Sequence, residues 1–100
     1  MQTRTHLSKS QAQRIHARRR FLTRKNIRFN GEQAYQLVQM IATDDPRVRL
    51  VEEQPRGMSV WEVPLGGTSC RIVYDRSTRN IVTVLPERWN ADYVQRWWEN

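Results

Sequence analysis

The sequence predicts an α+β fold of two N-terminal helices, a four-stranded antiparallel meander sheet and a C-terminal helix. Three observations predict it. Residues 9–25 contain good helix formers and neither Gly nor Pro, and a second helical pattern follows Asn30. From residue 47 the chain changes to short runs rich in Val, Ile, Trp and Tyr. The connections between those runs are three or four residues long. Connections that short make hairpins, because a parallel crossover needs a dozen residues or more.

Residues 1–8 are polar and are expected to form a flexible basic arm, with residues 9–100 as a single domain. The first helix runs from Lys9 to about Lys25. Its apolar residues Ala12, Ile15, Ala17, Phe21 and Leu22 make no single clean stripe, so its packing face is not defined by pattern. The second helix has Asn30 as N-cap, Gln33 at the capping-box position, and Ala34, Leu37, Val38 and Ile41 at core-facing spacing. It should stop near Asp44-Asp45-Pro46, because Pro46 disfavours helical geometry before it. Strands are expected at 47–53, 58–65, 69–75 and 80–85, divided by Gln54-Pro55-Arg56-Gly57, Gly66-Gly67-Thr68 and Arg76-Ser77-Thr78-Arg79. Pro86 ends the last strand. Asn90 then caps a final helix that groups Tyr93, Val94, Trp97 and Trp98 within a turn of one another. Helices that cover one sheet face leave the other available, and chemistry is expected on that open face.

One hundred residues suit one domain with one modest core. Four Trp, three Tyr and two Phe supply apolar bulk that argues against wholesale disorder. No apolar run approaches the roughly 20 residues of a membrane span, and the N-terminus lacks a signal-peptide core, so a cytoplasmic location is expected. The single Cys70, in a strand-like run, reads as a packed thiol. With only His6 and His16 as imidazoles there is no zinc-ligand spacing, and neither a metal nor a cofactor is expected.

Charge is the strongest functional signal. Residues 1–31 carry nine cations and no acid, whereas residues 32–100 hold eight arginines against ten carboxylates. A local basic patch of this kind attracts polyanions and binds nucleic acid in a salt-sensitive manner. Acidic membrane surfaces respond to the same charge, and a merely solvated basic helix also accounts for it. The candidate nucleic-acid contacts are Arg14, Arg18, Arg19, Arg24, Lys25 and Arg28, with Arg88 beyond the last strand. Within this block His16, Arg20 and Arg24 recur every four residues, which forms one helical ridge of a proton-transfer group beside two cations.

RNA cleavage without a metal needs a base for the 2′-hydroxyl, an acid for the leaving oxygen and cations for the developing phosphate charge. His16 is the near-neutral proton carrier, and Arg20 and Arg24 are suited to phosphate oxygens. Neighbouring arginines disfavour the imidazolium, so His16 makes a better base than acid. Thr83 offers a hydroxyl from the sheet, or is an ordinary β-former. Pairing Tyr74 with Ile81 puts Ile72 opposite Thr83, and a one-residue slip puts Arg71 there instead. Glu52, Glu53 and Glu62 are candidates for the second proton carrier. Trp61 and Trp89 are available for base stacking, or for core packing.

His16-Ala17, Arg20-Phe21, Arg24 and Ile27, then a second helix, Ile72-Val73-Tyr74-Asp75 and Ile81-Val82-Thr83-Val84, resemble the small proteins of domain of unknown function 4258. That family is grouped with the barnase, EndoU, colicin and RelE superfamily of metal-independent ribonucleases and toxins. The resemblance covers about residues 12–86. Lys25 and Asn26 depart from it by intervening before Ile27, and Trp89 to Trp98 extends past it. It implies a toxin- or effector-type ribonuclease that cleaves RNA by transesterification, with His16, Arg20, Arg71 and Thr83 as catalytic candidates. Two other readings stay open. One is a non-catalytic nucleic-acid-binding module, and the other is an interaction protein whose basic helix meets an acidic partner such as an antitoxin or host protein.

Overall fold

The computed structural model describes residues 7–86; Arg88, Trp89 and the helix predicted from Asn90 lie outside the described residues. Two helices precede four strands: α1 (Lys9–Lys25), α2 (Gly31–Ala42), β1 (Arg49–Glu53), β2 (Met58–Leu65), β3 (Thr68–Asp75) and β4 (Asn80–Val84). The strands form one antiparallel sheet in the order β1-β2-β3-β4, the predicted meander. No helix among the described residues is long and apolar enough to cross a membrane.

Both helices begin with reciprocal capping. On α1 the Ser8 hydroxyl accepts from the Gln11 N–H at 3.1 Å, and the Gln11 side chain accepts from the Ser8 N–H at 3.0 Å. Ser8, assigned by sequence to the arm, is therefore the N-cap of α1. On α2 the expected Asn30 and Gln33 pair makes the same two bonds at 2.9 and 3.0 Å. The helix ends a little before Asp44, with Thr43 as its C-cap. Gly66 and Gly67 join β2 to β3 with φ of 63° and 76°, the two positive values that a two-residue type I′ hairpin requires.

The main core lies between the helices and one sheet face. Ala17 and Phe21 of α1 and Leu37 and Ile41 of α2 pack with Phe29, Trp61, Val63, Ile72, Tyr74, Ile81 and Val84. Phe21 and Phe29 stack with ring centroids 4.1 Å apart, which closes the α1–α2 connection over the sheet. The packing face of α1 also contains a polar residue that no hydrophobic pattern marks. Gln13 is buried, donating to an Asp75 carboxylate oxygen at 2.8 Å and accepting from the Thr78 hydroxyl at 2.6 Å. Asn80 donates to Gln13 and to the Ser10 hydroxyl, so one polar network ties α1 to the β3–β4 turn.

The sheet departs from two sequence expectations. Tyr74 pairs with Ile81 as the first register proposed, but a β-bulge follows, and Val73 rather than Ile72 or Arg71 stands opposite Thr83. Val82 is the extra residue, and Ile72 moves opposite Val84. The bulge lets Ile81 and Val84 both reach the helix-side core, which strict alternation forbids. The second correction concerns the sheet face away from the helices. It was expected to be open, yet Val60, Val73, Val82 and Leu85 form a buried second cluster, with Val51 and Met58 packed against it. Near-continuous apolar runs in β3 and β4, such as Ile81-Val82-Thr83-Val84-Leu85, are what a strand buried on both faces requires.

Candidate nucleic-acid interface

Burial of Gln13, Ala17 and Phe21 fixes how α1 sits, and 3.6-residue periodicity then divides its arginines. His16, Arg20 and Arg24 fall on one flank of the buried stripe. Arg14 and Arg18 fall on the other, toward α2, and Arg19 points outward with Ile15 and Leu22, which are exposed. The basic block is therefore two ridges rather than one patch.

On the first ridge His16 is half-buried and has no hydrogen-bond partner among the described residues. Burial, then the charges of Arg20, Arg24 and Arg19, hold its imidazole below the usual histidine range. Both effects favour the unprotonated imidazole, the form that acts as a base. Arg20 is half-exposed and pairs with no carboxylate among the described residues. Arg24 is engaged differently from the phosphate contact expected of it. Its Nη1 donates at 2.7 Å to the Val84 carbonyl at the end of β4. Burial and the neighbouring Arg20 charge lower its pKa. Arg24 and Lys25 also border a polar depression with Asn26 and the β2–β3 turn. Arg28 is exposed in the α1–α2 connection.

The sheet residues expected to complete a catalytic set lie elsewhere. α1 packs on the face that carries Ile72 and Ile81, whereas Arg71, Val73 and Thr83 belong to the opposite face. Thr83 is only 3% exposed, and its hydroxyl makes one long contact, 3.4 Å, to the Val84 carbonyl. That position suits a buried β-former, not a group presented to a substrate. Arg71 lies 3.9 Å from the Glu62 carboxylate, opposite which it stands in the ladder. The charges acting on His16 are those of its own helix, and Arg71 is not among them.

The three glutamates considered as proton carriers are also occupied. Glu62 takes Arg49 at 2.6 Å and the Ser69 hydroxyl at 3.1 Å, and these two bonds hold its carboxyl below the usual range. Glu53 pairs with Arg76 at 2.9 Å, and Glu52 accepts from Gln54 at 3.4 Å. Trp61 is core, with its indole N–H on the Ser59 hydroxyl at 2.8 Å. Cys70 is a buried thiol in the same core.

The second ridge borders a groove that sequence reasoning missed. Arg14 and Arg18 of α1, Tyr35 of α2 and Arg79 of the β3–β4 turn surround a cavity of about 240 Å³. Its floor is apolar, from Ala17, Phe29, Ala34, Val38 and Ile81, and the N-terminus of α2 at Asn30 and Gly31 opens onto it. Tyr35 is 65% exposed. One signal was available, because Tyr35 falls off the Ala34, Leu37, Val38 and Ile41 stripe and so has no place in the core. Arg79 offered none, since only the fold brings the β3–β4 turn beside α2.

The chain matches no protein-family model, no curated protein and no solved structure. The ribonuclease resemblance rests on the residues quoted for it.

Proposed function

We propose that the protein binds RNA, gripping the phosphodiester backbone along α1. The observation that carries this reading is a helix bearing Arg14, Arg18, Arg19 and Arg20 with no carboxylate partner among the described residues. In the sheet, by contrast, Arg49 and Arg76 are paired with Glu62 and Glu53. Cations held on a rigid helix without counter-charges release counterions from a polyanion when it binds. If four to six of the basic residues contact phosphate, log affinity falls with log salt at a slope of about −3 to −4, using ~0.7 per contact for single strands. Titration of labelled single-stranded RNA over a series of salt concentrations tests it. A salt-independent isotherm would sink the reading.

A second reading, metal-independent cleavage by transesterification, is favoured by one specific observation. His16 stands one helical turn from Arg20 with its pKa lowered by burial and the neighbouring arginines, the pairing of base and phosphate clamp that attack by a 2′-hydroxyl needs. The burial of Thr83 and the engagement of Glu52, Glu53, Glu62 and Arg71 leave the rest of the catalytic set unfilled, which is why binding takes first place. His16→Ala separates the two. Under the cleavage reading it lowers the rate on a labelled RNA, with chelator present, about a hundredfold and leaves affinity nearly unchanged. Under the binding reading neither protein turns the RNA over.

A further inference from the structure

We infer that the groove between α1, α2 and the β3–β4 turn seats one nucleotide of a single-stranded RNA, with the base stacked on Tyr35 and the phosphates on Arg14, Arg18 and Arg79. The inference rests on the RNA reading and names the unit recognised. It involves neither His16 nor Arg20, which lie on the opposite flank of α1.

Four features point to a nucleotide. The cavity, at about 240 Å³, lies just below the ~300 Å³ at which small-molecule pockets begin, so it accepts one ring system. Its floor of Ala17, Phe29, Ala34, Val38 and Ile81 is apolar and suits the face of a base rather than a charged group. Its rim is cationic, and Arg14, Arg18 and Arg79 have no ion-pair or hydrogen-bond partner among the described residues. Tyr35 stands at the rim with most of its ring in solvent, the placement from which an aromatic stacks on a base. A peptide carboxylate would satisfy the arginines but has no flat apolar face for the floor.

Arg79 adds a test of its own. It holds φ of 57°, a left-handed conformation that favours glycine and that a long side chain occupies at a cost. Arg79→Gly therefore removes the cation and relieves the backbone together. A residue kept there for the fold and one kept there for a ligand give opposite results in this variant.

The experiment measures binding of wild type, Tyr35→Ala, Arg79→Gly and Arg20→Ala to a labelled single-stranded RNA hexamer, to an abasic strand of equal length and to a polyglutamate peptide of equal charge. Thermal melts accompany each variant. The expected result is that Tyr35→Ala weakens RNA binding tenfold or more with an unchanged salt slope, and no longer distinguishes RNA from the abasic strand. Arg79→Gly weakens RNA binding, flattens the slope by about 0.7 and melts no lower than wild type. If both variants bind RNA as wild type does while Arg20→Ala binds it less well, the groove is overturned and RNA binding along α1 stands. If wild type binds no RNA, both fall. If polyglutamate binds as tightly as RNA and depends equally on Tyr35, the groove belongs to an acidic protein and the nucleotide is overturned.

Discussion

Arg24 and Arg20 are neighbours on one helical ridge, and the structure gives them opposite jobs. Arg24 donates at 2.7 Å to the Val84 carbonyl, a contact that ties the last turns of α1 to the end of β4 across 60 residues of sequence. Replacing it with Met keeps the aliphatic stem and removes the donor. A hydrogen bond to a charged group contributes about 1.5–3 kcal/mol. Two circumstances reduce the loss here. The contact is only part-buried, so water can replace the guanidinium at the carbonyl, and the variant relieves an i, i+4 repulsion with Arg20 of about 0.2–0.5 kcal/mol. The expected cost is therefore about 1–2 kcal/mol. For a domain of this size each kcal/mol moves Tm by about 4–8 °C, so Arg24→Met should melt about 4–16 °C below wild type. Arg20→Ala relieves the same repulsion and breaks no hydrogen bond seen among the described residues, so its Tm should be unchanged or slightly raised. RNA affinity should follow the reverse order, falling for Arg20→Ala and changing little for Arg24→Met. Circular dichroism melts and a labelled-RNA titration on the same preparations measure both. An Arg24→Met protein that melts like wild type but loses RNA would refute the assignment and return Arg24 to the ligand surface.

Other expectations follow from the same geometry. Burial alone would raise the Asp75 pKa, but hydrogen bonds from Gln13 and Ser77 and the Lys9 ammonium at 3.4 Å hold it well below the usual carboxylate range. Its contribution to stability is therefore complete above the unfolded-state value near 4 and is lost as pH falls through that value toward the folded one. Gln13→Leu should lower stability at neutral pH by about 2–4 kcal/mol by leaving a buried carboxylate short of a donor, and should flatten the loss of Tm between pH 5 and 2. An unchanged acid profile would show that Gln13 does not hold the carboxylate. Phe21→Ala removes a fully buried ring stacked on Phe29 and should cost about 3–5 kcal/mol, read from urea unfolding. Gly66→Ala should destabilise more than Gly67→Ala, because both hold positive φ but a Cβ on Gly66 meets the Ile27 Cδ1 at 3.0 Å and one on Gly67 meets nothing within 4 Å. Equal melts for these two would show that the Ile27 contact carries no cost.

Signals that act within a turn of helix or a hairpin were legible in the sequence. Asn30 with Gln33, the absence of Gly and Pro from residues 9–25, and the Gly66-Gly67 turn specify local backbone geometry through short-range hydrogen bonds and sterics, so the helices and the meander followed from them. The capping pair of Ser8 and Gln11 is equally local, although the polar residues before it mask the helix start. The orientation of α1 was decided by tertiary structure. Its buried face includes Gln13, whose amide is stable there only because Asp75, Thr78 and Asn80 arrive from a distant turn to meet it. That one choice of face separated His16 and Arg20 from Arg14 and Arg18 and set Arg24 against Val84. The bulge at Val82 was decided in the same way, since an extra residue in β4 gains nothing locally and is favoured because it lets Ile81 and Val84 both enter the helix-side core. The linear order of residues established where the cations are in the chain, and packing between residues some 60 positions apart decided which of them face solvent together.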